Sequence, residues 1–100
     1  MIMGKIVGTV VATHKDLGLE GFKLQIIQSI DIPTMELQDS FLVAVDAVGA
    51  GNGEIILCTS GSSARMTDTT EDRPVDAVVI AIVDFSEIEG NEVYRKNSDG

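Results

Sequence analysis

The stretch VDAVGAGNGEIILCTSGSSARMTDTTEDRPVDA, from Val45 to Ala77, decides how this chain folds. It contains a glycine-dense loop, Gly49-Ala50-Gly51-Asn52-Gly53, which runs directly into the apolar segment from Glu54 to Thr59. A second turn of small residues follows, Gly61-Ser62-Ser63-Ala64-Arg65, and Arg73-Pro74-Val75-Asp76-Ala77 leads into the last apolar run. Glycine permits positive φ angles and close approaches that a side chain would prevent. The stretch therefore predicts tight turns and a close contact with another copy of the chain, and it supplies no set of catalytic groups.

Five apolar runs rich in valine, isoleucine and threonine predict strands, because β-branched residues favour extended backbone. They are Lys5 to Thr13, Phe22 to Ile30, Phe41 to Val48, Glu54 to Thr59 and Ala77 to Phe85. Pro33 ends the second strand, since proline donates no ladder hydrogen bond and pushes the preceding residue out of helical backbone. The segment from Pro33 to Ser40 is either one helical turn or plain loop. Ser62 is a suitable N-cap for a short helix over Ser62 to Met66.

These elements predict an all-β fold, a small five-stranded OB-like β-barrel with one short helix between strands 4 and 5. We assign residues 1–85 to the barrel domain. Residues 86–100 form a polar C-terminal tail, partly mobile, which adds a short strand at Glu92 to Arg95.

The composition excludes several classes of protein. Of 100 residues 44% are hydrophobic, a high share for so small a chain, so apolar surface must be exposed or buried in an oligomer. A net charge of −9 argues against partners such as nucleic acid or an anionic membrane surface. The N-terminus lacks a signal-peptide pattern, and no run approaches the roughly 18 apolar residues of a membrane span. We therefore expect a soluble, intracellular protein.

The residues that most often carry chemistry form no constellation here. Cys58 is the single cysteine and sits in an apolar run, which predicts a small buried side chain. His14 is the single histidine, and one loop histidine among carboxylates makes a weak metal site. The glycine loop precedes a strand, whereas pyrophosphate binding needs a helix N-terminus at that point. We expect no catalytic residue, no cofactor and no metal.

Two of the seven basic residues, Arg65 and Arg73, flank the connection into the last strand. Arginine forms bidentate pairs with carboxylates and suits interfaces, and Glu54 and Asp76 are the obvious candidate partners. An intersubunit or loop-fixing role and a solvated surface charge are equally compatible with this pattern.

The order of several short segments resembles one known family. The segments are Lys5 to Thr13, Gly21 to Leu24, Val43 to Asp46, Val48 to Gly51, Gly53-Glu54, Gly61 to Arg65, Pro74 to Ala77 and Ile80 to Asp84. Together they resemble the EutN/CcmL family, the vertex proteins of bacterial microcompartment shells, over about residues 3–85.

The resemblance implies a structural shell protein and no enzyme. Such a protein forms homopentamers that cap the vertices of a polyhedral shell in the bacterial cytoplasm, next to hexagonal shell proteins. A narrow pore on the five-fold axis either passes small metabolites or is simply a seam between subunits. The resemblance implies that Gly49, Ala50, Gly51, Asn52 and Gly53 lie near the axis. It implies that Ser62, Ser63 and Arg65 lie at the subunit contact or at the pore mouth. Together with the charged residues discussed above, the predicted subunit interface comprises Glu54, Ser62, Ser63, Arg65, Arg73 and Asp76. Amides of the glycine loop would favour anions in the pore, while the net negative charge opposes them.

The alternative is an OB-type small ligand-binding module without catalytic activity. Such modules usually present aromatic platforms and basic grooves, whereas this chain has four aromatic residues and a negative net charge.

Overall fold

The computed structural model describes residues 1–12, 21–61, 64, 66–67 and 76–96. Within these ranges the chain is built from strands, and no helix is long and apolar enough to cross a membrane. The strands are β1 (Ile2–Val10), β2 (Leu24–Asp31), β3 (Glu36–Asp46), β4 (Ile55–Ser60), β5 (Ala77–Ile82), β6 (Phe85–Ile88) and β7 (Asn91–Arg95).

The first five strands close into a barrel in the order β1-β2-β3-β5-β4, with β4 pairing back onto β1. The β3–β5 pair is parallel and the other pairs of the barrel are antiparallel. Closure pairs every barrel strand with two neighbours, although β3 meets β5 only at Val45 and Asp46. This pairing reduces the exposed ladder of unpaired amides and carbonyls. The predicted five-stranded barrel is confirmed.

The assignment of Pro33 to Ser40 to a helical turn or loop is wrong for its second half. β3 begins at Glu36, which pairs with Asp31 of β2, and the turn between them is short. The Asp31 carboxylate accepts hydrogen bonds from the Thr34 amide (3.3 Å) and hydroxyl (2.7 Å), which closes the turn. Both faces of this end of β3 are exposed, so its sequence lacks the apolar alternation that marks a half-buried strand.

The predicted short helix falls mostly outside the described residues, because Ser62, Ser63 and Arg65 are not among them. Gly61 and Ala64 have the 3₁₀ conformation, and the described residues contain no α-helix. His14 also lies outside the described residues.

The barrel interior holds an aliphatic core built by the inward side chains of successive strands. Its members are Ile6, Ile27, Ala44, Ala50, Ile56, Cys58, Ala77 and Val79. Cys58 is buried as predicted, and this burial raises the pKa of its thiol. A second cluster of Val45, Ala64 and Val78, with Phe22 and Leu24 against it, covers part of the outside of the barrel.

The tail continues from the barrel as a hairpin, β6 paired with β7. The strand predicted at Glu92 to Arg95 lies within β7. Tyr94 packs on a third cluster formed by Ile30, Ile55 and Val83, which joins the hairpin to the end of the barrel. The expected mobility of the last residues stays a prediction, since residues 97–100 lie outside the described ranges.

Candidate functional site

The glycine loop, Gly49 to Gly53, connects β3 with β4 and is the candidate axial element. Gly49 and Gly53 have positive φ angles of 75° and 86°, a region that side chains other than glycine rarely adopt. Gly51 has no positive φ, and a Cβ added there would meet only Glu54 Oε1, at an ordinary 3.6 Å. The conformation of the loop therefore explains the first and last glycines, whereas nothing in the described part of the subunit requires a glycine at position 51.

Asp46, the last residue of β3, fixes the start of the loop. Its Oδ1 accepts hydrogen bonds from the Val48 amide at 3.0 Å and from the Gly49 amide at 2.9 Å. A carboxylate that accepts two successive backbone amides replaces the ladder partners that these amides lose where the strand ends.

Gln25 holds the middle of the loop from inside the barrel. Its side chain is completely buried, and its Nε2 donates to the Ala50 carbonyl at 2.9 Å and to Asp46 Oδ2 at 3.4 Å. Its Oε1 accepts a hydrogen bond from the Thr9 hydroxyl at 3.3 Å. Ala50 is itself part of the core, so the loop is anchored by one inserted methyl group and one amide.

Sequence reasoning missed Gln25. The available signal was its position in β2, where it lies two residues before the buried Ile27 and therefore on the inward side of an apolar strand. A polar side chain at such a position needs hydrogen-bond partners, and the loop supplies one.

Glu54 secures the end of the loop and connects it to the C-terminal hairpin. Its Oε1 accepts the Gly51 amide at 2.7 Å, and its Oε2 pairs with Lys96 Nζ at 2.7 Å. The hydrogen bond from Lys96, with the Gly51 amide second, lowers the pKa of Glu54, and Glu54 in turn raises the pKa of Lys96. The Lys96 amide also donates to the Asp84 carbonyl at 2.7 Å, so this contact is continuous with the base of the hairpin.

The backbone ties the same corner to β1. Gly53 donates its amide to the Ile6 carbonyl at 2.8 Å, and Ile6 returns its amide to the Glu54 carbonyl at 3.0 Å. With the anchors described above, both ends and the middle of the loop are held by specific hydrogen bonds.

The predicted site residues separate into distinct environments. Gly49, Asn52 and Gly53 are exposed, Gly51 is half-buried and Ala50 is buried.

Among the predicted interface residues, Glu54 has Lys96 as an ion-pair partner instead of an arginine. Asp76 is exposed, and its carbonyl accepts the Gly61 amide at 2.7 Å, which closes the connection between β4 and β5. Ser62, Ser63, Arg65 and Arg73 lie outside the described residues.

Within the described ranges, no three histidine, cysteine or acidic side chains are grouped so that they could hold a metal ion. What the site offers is a small loop with little side-chain bulk, held firmly against a closed barrel. Such a loop suits close contact with another surface.

Comparison with known proteins identifies the family. A family model described as "Ethanolamine utilisation protein EutN/carboxysome" matches residues 1–84. The chain belongs to the EutN/CcmL family. The carboxysome shell vertex protein CcmL of Synechococcus elongatus is 44% identical over 96 residues, which are 96% of each chain.

Solved structures of EutN/CcmL proteins have the same fold. CcmL of Gloeobacter violaceus superposes with a TM-score of 0.93 at 39% identity, covering 98% of this chain and 100% of that one. GrpN of Rhodospirillum rubrum, a pentameric microcompartment shell protein, gives a TM-score of 0.79 at 42% identity over 88% of this chain and 100% of its own. The EutN/CcmL relatives are structural shell vertex proteins and not enzymes.

Proposed function

We propose that this EutN/CcmL chain forms homopentamers that cap the vertices of a polyhedral microcompartment shell in the bacterial cytoplasm. Hexagonal shell proteins are the partners around each pentamer. The observation that carries the proposal is the likeness to GrpN, a pentameric shell protein whose whole length this chain covers. The identity of 44% to a carboxysome shell vertex protein supports the position in the shell.

The glycine loop supports a place for this segment near the five-fold axis. Gly51 has no positive φ, and among the described residues a Cβ at this position would meet only Glu54 Oε1. A residue without side-chain bulk at such a position fits a contact with another copy, which around an axis brings five loops together. In this arrangement Ala50 anchors the loop in the core, and Gly49, Asn52 and Gly53 face outward.

A narrow pore on this axis would be bordered by neutral groups. The amides of Val48 and Gly49 donate to Asp46, and those of Gly51 and Gly53 donate to Glu54 and Ile6. These four amides are therefore engaged within the subunit and offer no binding site to an anion. We propose that such a pore passes small polar metabolites according to their size.

The subunit interface in this proposal includes Glu54 and Asp76, together with Ser62, Ser63, Arg65 and Arg73. Asp76 is exposed, which leaves its carboxylate accessible to an arginine of the neighbouring copy. Glu54 already has an ion-pair partner in its own chain, so its contribution is to hold the loop in place for the contact.

Native mass spectrometry tests the proposal. We expect a dominant species of five 10.6 kDa subunits, about 53 kDa. A stable monomer would contradict the vertex function and favour the ligand-binding barrel.

The variant Gly51→Val tests the place of the loop near the axis. We expect a folded barrel that no longer assembles into pentamers, because the new side chain has room within the subunit but not between copies. Asn91→Val is the control, since it adds a valine at an exposed strand position of the hairpin. If both variants keep the mass of the wild-type pentamer, the loop does not lie at the contact.

A further inference from the structure

One side of the barrel carries an apolar surface that none of the described segments covers. We call it the outer β1–β3 face and define it by Val7, Gly8, Ile26, Phe41 and Val43. The register places Gly8, Ile26 and Val43 side by side across the three strands, with Phe41 next along β3. The sequence neighbours Ile27 and Ala44 belong to the core, so Ile26 and Val43 point outward. Val7 lies at the register irregularity of β1 between Ile6 and Gly8 and is 41% exposed.

The exposure of this face contrasts with the surface immediately next to it. Val43 is 49% exposed and Phe41 is 58% exposed, whereas Val45 on the same side of β3 is only 3% exposed. The difference arises because Phe22, Leu24 and Ala64 pack over Val45 and end there. The described segments thus cover the outer surface of these strands around Val45 and leave it exposed at Val43 and Phe41.

The charges around the face are compatible with a second copy of this acidic chain. The face contains no acidic side chain, and Asp39 lies at its border, two residues beyond Phe41. Lys5 adjoins it on the other side, since Lys5 pairs with Gln28 and Gln28 pairs with Phe41. Copies that each carry a net charge of −9 repel one another over most of their surface. An uncharged apolar area beside a lysine is a place where two such copies can meet.

We propose that the outer β1–β3 face is the side of the subunit against which the next copy packs in the ring. The inference rests on the proposed pentamer and adds a contact surface separate from the glycine loop. A five-membered ring requires heterologous contacts, in which one face of a subunit meets a different surface of its neighbour. The flat face supplies the apolar side of this contact, and Lys5 pairs there with an acidic group of the neighbour. Burial of exposed apolar surface provides the driving force for the association.

Gly8 contributes to the shape of this face. A Cβ at Gly8 would approach the end of the Ile26 side chain to 3.3 Å, so glycine lets Ile26 lie flat across β1. A flat apolar surface can be packed closely by a neighbour, as an interface core requires.

The test compares Val43→Glu with Ile88→Glu by native mass spectrometry and sedimentation. Ile88 is also partly exposed and apolar but lies on the hairpin, so its variant adds the same charge outside the face. We expect Val43→Glu to remain folded, because the residue is exposed in the subunit. We also expect it to raise the concentration at which pentamers dissociate by at least about tenfold, since it places an unpaired charge in the contact. Ile88→Glu should leave this concentration unchanged.

Three outcomes distinguish the possible failures. If wild type and Val43→Glu are equally stable pentamers, the inference is wrong and the vertex function stands. If the pentamers of both variants dissociate equally, an added negative charge weakens assembly wherever it is placed, and the outer β1–β3 face has no special role. A monomeric wild-type chain contradicts the proposed function itself.

Discussion

Replacement of Gln25 by methionine should loosen the glycine loop and destabilise the barrel. Methionine has a similar length and no hydrogen-bonding amide, so Gln25→Met removes the donor to the Ala50 carbonyl while filling most of the same space. The Thr9 hydroxyl loses its acceptor in the same change.

The magnitude follows from the burial of these groups. A buried carbonyl deprived of its partner costs about 1–3 kcal/mol. The apolar methionine side chain offsets part of this cost, because it is easier to bury than an amide. We expect a net loss of about 2 kcal/mol in the free energy of unfolding, which lowers the melting temperature by roughly 8–16 °C for a chain of this size.

The assay is thermal and urea unfolding at one fixed protomer concentration, because assembly makes the melting temperature concentration-dependent. Gln28→Met is the matched control: it removes an amide from the same strand, but its hydrogen bond to the Gln38 carbonyl is exposed. The control should change stability by less than about 0.5 kcal/mol. Hydrogen exchange should show faster exchange of the Gly49 and Gly51 amides in Gln25→Met only.

Two results would refute this reasoning. Equal stability of Gln25→Met and wild type would mean that the buried amide contributes no net anchoring. A loss of stability without faster exchange in the loop would mean that Gln25 supports the core and not the loop.

Three further predictions concern the strands, the loop and the assembly. Gly4→Ala should lower the free energy of unfolding by about 1–3 kcal/mol, because the new Cβ would lie 2.8 Å from the Gln28 carbonyl oxygen. Gly8→Ala should cost less, because its Cβ would meet only the movable end of the Ile26 side chain. Urea unfolding of both variants measures the difference, and equal losses of stability would contradict the prediction. The hydrogen bond from Lys96 lowers the pKa of Glu54 in the folded chain. The contact between these two residues therefore stabilises the fold above the ordinary Glu54 pKa of 4.5, and this stabilisation is lost as the pH falls through the lower pKa of the folded state. Because the pKa of Lys96 is raised, the same contact stabilises the fold at pH values below 10.5, and this stabilisation is lost as the pH rises through the higher pKa of the folded state. Hydrogen exchange of the loop amides in the wild type should become faster beyond both the acid and the alkaline limit. If the Glu54→Gln variant showed the same acid limit, the ion pair would not be its cause. Because a pentamer of −9 chains repels itself, added salt should raise the pentamer fraction in sedimentation, and an unchanged distribution would exclude this effect.

Most strands of the barrel could be predicted because their signals are local. The β-branched run that became β5 and the stop before Pro33 that ends β2 each depend on a few neighbouring residues. The strand from Glu36 to Ser40 could not be predicted in this way, since it is polar and exposed on both faces. Its conformation is decided by hydrogen bonds to β2 across the hairpin.

The candidate site was predictable in its backbone and not in its anchors. The glycines indicated the loop, and two of the three have the positive φ expected of them. The ion pair of Glu54 with Lys96 joins residues 42 positions apart, and the hydrogen bond from Gln25 to Ala50 spans 25 positions. No local pattern carries such pairings, because the barrel must close before these groups become neighbours.

The sequence by itself determined the all-β class, the turns and the family, because strand propensity, glycine and proline act on the backbone locally. Only the tertiary structure decided which outward side chains are covered. Val43 and Val45 are the same residue type on the same side of β3, yet one is half exposed and the other buried. The alternation of residues along a strand shows which side chains share a face of the sheet. Which of these side chains are buried depends on segments distant in sequence that pack over that face.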